Sequence, residues 1–250
     1  MAEHKFPTEV IDLPSRGKLY SKDSPLAEGK IELKYMTTRE EDILMSENLI
    51  KKGVVIDKLL DSLIVTPNVK QTDLILGDKN AVLVAARILA YGPEYTTEIN
   101  DPNNPNQKIT HTFDLSQCPF KELSDDIKYN GNSFEFTTPV GKNKLKFKIL
   151  TGADEALMNK DIEQSAKYGY QTTISTRLRY SVIEVDGDNK AETINSFTQN
   201  MLARDSVALR NQIQKVSPDI DMTSEVEIGG ETVSVSIPLS VEFFWPSSIE

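Results

Sequence analysis

The sequence has one cysteine, Cys118, and two histidines, His4 and His111, in 250 residues. A lone thiol makes no intrachain disulfide and no thiolate cluster for structural zinc, and in its Cys118-Pro119-Phe120 context it reads as a passive thiol. Two histidines far apart in sequence leave little material for a His-based metal site or a Ser-His-Asp triad. Long apolar runs are missing too: no stretch approaches the ~20 apolar residues of a membrane span. The start, Met1-Ala2-Glu3-His4-Lys5-Phe6-Pro7, lacks the apolar region of a signal peptide. The expectation is a soluble protein that stays where it is made, with no membrane partner.

Positive charge is short as well. Lys and Arg total 28 against 38 Asp and Glu, a net charge of −10 with the acidic residues spread along the chain. Binding to a phosphate backbone needs a positive surface that releases counterions, so nucleic acid is not an expected partner. The chain has no Gly-rich phosphate loop, Gly-x-Ser-x-Gly elbow, His-Glu-x-x-His helix or repeated cysteine pairs. Glu40-Glu41-Asp42 is acidic, but at a helix start it is explained by the macrodipole. Carboxylates alone can serve glycosidases, yet no pair is singled out by position. The sequence therefore predicts a protein that is not an enzyme, with no cofactor and no metal.

A hydrophobic content of 38% is enough for a packed core. Pro7, Pro14, Gly17, Pro25 and Gly29 make residues 7–29 an extended arm largely without helix, lying on a surface, either as a loose leader or docked on a neighbouring subunit. Ile31, Leu33 and Tyr35 then alternate with Lys30, Glu32 and Lys34 as in a half-buried strand, and Thr37-Thr38-Arg39-Glu40 forms a capping box that opens a helix through Leu44. The pattern returns further along. Leu145, Phe147 and Ile149 alternate with Lys144, Lys146 and Lys148, and Thr151-Gly152-Ala153-Asp154 follows. Two related halves, each strand, cap and helix, are one explanation; the commonness of such junctions is the other.

Between these points, helical spacing covers 54–64, stopped by Pro67, and runs from near Asp78 to Tyr91-Gly92-Pro93. Tyr95–Ile99 and Lys108–Phe113 read as a long hairpin with a polar tip. Phe134 and Phe136 pair with the Leu145–Ile149 strand across Pro139-Val140-Gly141. Val182–Val185 leads into Asp186-Gly187-Asp188, a turn rather than a Ca²⁺ loop because the rest of the ligand pattern is missing. A helix carries Leu202, Leu209, Ile213 and Val216, and Gly229-Gly230 turns a closing hairpin. Phe243, Phe244 and Trp245 cluster near the end; each ring carries some 150–250 Å² of surface that must fold back into the core or anchor on a partner.

The fold class expected is α+β: an extended N-terminal arm (1–29), a first module with a long β-hairpin (30–124) and a second ending in a β-hairpin and aromatic terminus (125–250). Candidate partner-binding residues are Leu13, Pro14, Leu19 and Tyr20 in the arm and Phe243, Phe244 and Trp245 at the end. A homo-oligomer is compatible with this reading.

Three stretches together resemble the baseplate hub proteins of T4-like phages: Glu9-Val10-Ile11-Asp12-Leu13-Pro14-Ser15-Arg16-Gly17-Lys18-Leu19-Tyr20, the segment Ile31–Leu44, and Phe243-Phe244-Trp245-Pro246. The resemblance spans nearly the whole chain and lies in the order and spacing of these segments. It implies a late structural protein that builds the hub of a contractile tail, with other phage baseplate and tail hub proteins as partners. It also implies assembly in the host cytoplasm and residence in the virion, and no catalytic residues. The strand followed by Leu/Met-Thr-x-x-Glu/Asp is also similar to phage tail assembly chaperones, whose transient role is the alternative. Some related tail proteins carry paired cysteines near the closing hairpin; here Glu225–Glu231 has none, so no zinc ribbon is implied.

Overall fold

The computed structural model describes residues 6–100, 108–121, 123, 127, 129, 131–228, 230–237, 239 and 241–244. The arm begins as strand β1 (Thr8–Asp12), which pairs antiparallel with β2 (Lys30–Lys34) so that Ile11 faces Ile31. Between them the chain folds back on itself through turns and a short 3-10 turn at Pro25–Glu28. Gly17, at φ 76°, lets the two turns come close: a Cβ there would stand 2.0 Å from the Ala27 carbonyl oxygen. The expectation of an arm lying on a surface is corrected here. Leu13, Leu19 and Leu26 are each at most 3% exposed, because a tight double turn aims them inward.

Three short helices follow, α1 (Thr38–Leu44), α2 (Glu47–Lys51) and α3 (Val55–Leu63). Val55, Leu59, Leu60 and Leu63 of α3 recur at helical spacing and are all buried. The long helix α4 (Leu76–Tyr91) is buried on most sides, charged Asp78, Lys79 and Arg87 included, and its middle, Ala81 to Val84 with Ala86, is apolar and buried. Such a helix belongs inside, and the other elements of the first half pack around it. Beyond Gly92 comes the hairpin β3 (Glu94–Asn100) and β4 (Lys108–Asp114), with Tyr95 opposite Phe113. Its expected tip lies outside the described residues.

The second half starts with β5 (Phe134–Thr137) and β6 (Lys144–Phe147), in register Phe134 with Phe147. Helices α5 (Gly152–Lys167) and α6 (Thr173–Ser181) lead to β7 (Val182–Val185), which joins the other side of β6. Then come α7 (Ala191–Asn200) and α8 (Ala203–Val216). Periodicity did not reveal α6 and α7: Thr173–Ser181 has one buried leucine, Leu178, and the helix rests on packing against α5 and α7. The chain closes with β8 (Thr223–Ile228) and β9 (Glu231–Ser236).

The α+β class follows from these elements, and two hydrophobic clusters organise them. One gathers Leu13, α3, α4 and the β3–β4 hairpin; the other gathers Leu19, the β5–β6–β7 sheet, Leu209 and Val216. The closing hairpin departs from the expected module boundary. Val226, Ile228, Ile237, Phe243 and Phe244 pack in the first cluster, so the chain returns across the molecule to finish the core it began.

The clusters meet where α4 and α5 start. Leu76 N–H donates to the Leu150 carbonyl at 3.0 Å and Gly152 N–H to that of Leu74 at 2.8 Å. Gly152 is required by this crossing, since a Cβ would stand 2.5 Å from the Gln71 carbonyl oxygen. Beside it Lys79, 7% exposed, places Nζ 2.8 Å from Asp57 of α3 and 2.8 Å from Glu155 of α5, one cation bridging both halves.

Candidate interaction surfaces

The arm's candidate residues converge on the first turn of α4. Asp78, fully buried, accepts the Ser15 N–H at 2.9 Å, the Ser15 hydroxyl at 2.6 Å and the Tyr20 hydroxyl at 2.7 Å. The Tyr20 oxygen in turn accepts the Ile75 N–H at 3.1 Å. A carboxylate in a helix's first turn suits the macrodipole, and the three donors satisfy a group too costly to bury alone. Burial still dominates and holds the Asp78 carboxyl above the usual carboxylate range, and burial with the neighbouring Asp78 pushes the Tyr20 phenol up. Leu13, Pro14 and Leu19 are buried around this knot. Their apolar surface is taken up inside the chain rather than presented outward.

The aromatic end is held in the same way. Phe243 and Phe244 are each 1% exposed, their rings 5.5 Å apart edge to face, and Phe243 stands 4.9 Å from Tyr95. Arg87, 4% exposed on α4, donates from Nε to the Phe243 carbonyl at 2.9 Å, and from its Nη atoms to the Gly92 and Glu94 carbonyls. Its guanidinium lies 5.0 Å from the Tyr91 ring centre and 5.9 Å from that of Tyr95. Three carbonyls and two rings replace the carboxylate usually beside a buried cation, and burial lowers the Arg87 pKa. Trp245 lies outside the described residues. The signal missed in the sequence was the pair of buried charges, Asp78 and Arg87, at positions where a helix should be apolar.

What the surface does offer lies mainly at the far end of the α5–α6 pair. Tyr168 is 81% exposed, Tyr170 68% and Ile174 54%. Behind them a cleft of about 420 Å³ is lined by Ser165, Thr172, Ser175, Asn195 and Gln199. Asp161 at its wall accepts from Arg179 at 2.5 Å and Tyr180 at 2.8 Å, which hold its carboxyl below the usual range. Exposed tyrosines among neutral hydrogen-bonding side chains give large contact area with few rotors to freeze, a composition suited to protein contacts. Tyr168-Gly169-Tyr170 in a polar run was the available signal.

Other candidate chemistry is occupied locally or partly covered. Asp186, at φ 50°, accepts from Asn143 Nδ2 and Lys144 N–H, and Asp188 from Lys190 N–H and the Thr193 hydroxyl, so both carboxylates hold a turn. Cys118 is half-buried, and burial raises its thiol pKa. Among the described residues no group of three or more His, Cys, Asp or Glu is placed to hold a metal ion, and no helix is long and apolar enough to cross a membrane.

Comparison with known proteins identifies the chain. The family model of the T4 bacteriophage base plate protein matches residues 6–245, and the chain belongs to that family. The match runs from two residues before β1 to the aromatic end, and makes this a phage baseplate protein. Neither the curated proteins nor the solved structures contain a match to it.

Proposed function

We propose that the protein is a structural and assembly subunit of the baseplate hub in a contractile phage tail, acting through contacts with other hub and tail proteins and retained in the virion. The observation that carries this reading is the family match across residues 6–245. The polar clusters fit a structural role, since Asp78, Arg87, Lys79 and Glu40 each fasten one part of the chain to another. The two strand, cap and helix junctions support two related halves.

Leu13, Pro14, Leu19, Tyr20, Phe243 and Phe244 serve partner contacts by fixing the path of the arm and the end. The neighbouring subunits then meet the surface above them, with Trp245 following directly in sequence. The exposed Tyr168 and Tyr170 are a further contact point.

Quantitative mass spectrometry of purified virions should find the chain at a fixed, small copy number per particle. Its absence from mature particles, with capture of tail proteins from infected cells, would instead assign it to transient chaperoning. Zymography on peptidoglycan should show no clearing; lysis would overturn the non-enzymatic reading.

A further inference from the structure

Among the described residues the outer edge of β1 is open. Its neighbours in the ladder fix the parity: Tyr35 N–H donates to the Pro7 carbonyl at 3.1 Å, and Leu13 N–H to that of Gly29 at 2.8 Å. In an antiparallel pair the residues that bond inward alternate with those that bond outward. Residues 7, 9, 11 and 13 therefore face β2, and the N–H and C=O groups of Thr8, Val10 and Asp12 point away from it. Among the described residues no hydrogen bond takes up these groups. Natural edge strands are usually blunted by lysine, proline or a bulge. Thr8-Glu9-Val10-Ile11-Asp12 has no lysine, proline or bulge, its charges are Glu9 and Asp12, its register with β2 is regular, and Val10 is 58% exposed.

We propose that β1 pairs antiparallel with β1 of a second copy of this chain, joining two hairpins into a four-stranded sheet. A two-fold pairing of β1 with itself has one register that fits. Outward groups must meet outward groups, so even residues face even residues. Centring on Glu9 sets two glutamates opposite each other, which is unfavourable. Centring on Ile11 sets Thr8 against Pro14, which has no N–H and is buried. Centring on Val10 faces Val10 with its twin, Thr8 with the second copy's Asp12, and Glu9 with the second copy's Ile11. No like charges oppose, and the exposed valine is covered. Ile11, Ile31 and Leu33 already seat one face of the sheet on the core. Each copy carries a net charge of −10, so added salt strengthens the pairing.

This inference rests on the β1 geometry and not on a place in the hub. Its test is sedimentation of the purified full chain over a concentration series. The mass should rise from one copy towards two, and V10P should abolish the rise while leaving circular dichroism unchanged, because it removes an outward N–H alone. Should V10P misfold, V10C in a C118S background gives an independent reading. Directly opposed residues in such a pair stand ~5.5 Å apart at Cα, within disulfide reach. V10C should form a covalent dimer on mild oxidation and E9C should not. A single-copy mass throughout the series, or cross-linking of E9C in place of V10C, overturns the proposal.

Discussion

The junctions at Thr37 and Thr151 use the same atoms at different depths. In the first, the Glu40 carboxylate accepts the Thr37 N–H at 3.0 Å, the Thr37 hydroxyl at 2.7 Å and Lys34 Nζ at 2.8 Å. In the second, Asp154 accepts the Thr151 N–H at 3.0 Å, the Thr151 hydroxyl at 2.9 Å and Lys148 Nζ at 2.7 Å. The surroundings differ. The Glu40 side chain is fully buried and Lys34 13% exposed, and Ser62 of α3 adds a fourth donor at 2.7 Å. Asp154 and Lys148 are 14% and 29% exposed. One cap has been absorbed into the first core by the helix packed over it, while the other remains a helix cap near solvent. A sequence motif thus sets the local hydrogen bonds, and the packing above it sets what they are worth.

The comparison breaks most readily at Glu40. Glu40→Ala leaves a nearly buried ammonium and two hydroxyls without their acceptor, and should destabilise the fold by about 3–5 kcal/mol in denaturant unfolding. Acid should act next. Burial by itself raises the Glu40 carboxyl, but the donors from Lys34, Thr37 and Ser62 outweigh it and hold it at about 2, against a usual 4.5. A depressed folded value contributes stability that is present above the unfolded pKa and disappears as pH falls through the folded one. The loss, about 3 kcal/mol, should therefore develop between pH of about 4.5 and 2, and Glu40→Gln should flatten that part of the pH profile. Asp154 is shifted in the same direction, with burial again opposed by Lys148 and Thr151, so Asp154→Asn should flatten it less.

Smaller effects sharpen the contrast. Asp154→Ala removes a cap near solvent and should cost about 1 kcal/mol by the same unfolding measurement. Exchanging the two acids isolates depth from chemistry. Glu40→Asp shortens an acceptor that must reach four donors and should cost about 1–2 kcal/mol. Asp154→Glu has room towards solvent and should stay within about 0.5 kcal/mol of the parent in thermal melts. Equal losses from Glu40→Asp and Asp154→Glu would show that burial does not separate the junctions.

Much of the fold was legible where pattern is local. Both capping boxes, the α3 and α4 spacings and the β3–β4, β5–β6 and β8–β9 hairpins could be read because strand alternation, helical spacing and turn glycines act over a few residues, whereas the pairing of β1 with β2 across a long folded connection could not. Helices α6 and α7 could not, because polar sequences such as Thr173-Ile174-Ser175-Thr176 carry no stripe and become helical against α5 and each other. Leu13, Leu19, Phe243 and Phe244, expected from the sequence at partner contacts, are each at most 3% exposed within the chain itself. Whether such a group points inward depends on a distant acceptor or donor. For Tyr20 that is Asp78, for Phe243 it is Arg87, and neither distance along the chain is visible in composition.

By itself the sequence determined the α+β class, the two strand, cap and helix junctions and the kinship with phage baseplate proteins, since these depend on nearest neighbours or on the order of motifs. Tertiary structure alone decided that the arm and the aromatic end close on the first core, and that one junction is buried and its twin is not. The reason is that burial depends on which segments the chain brings back across long separations, and a residue's own type records only that it needs cover, not what will provide it.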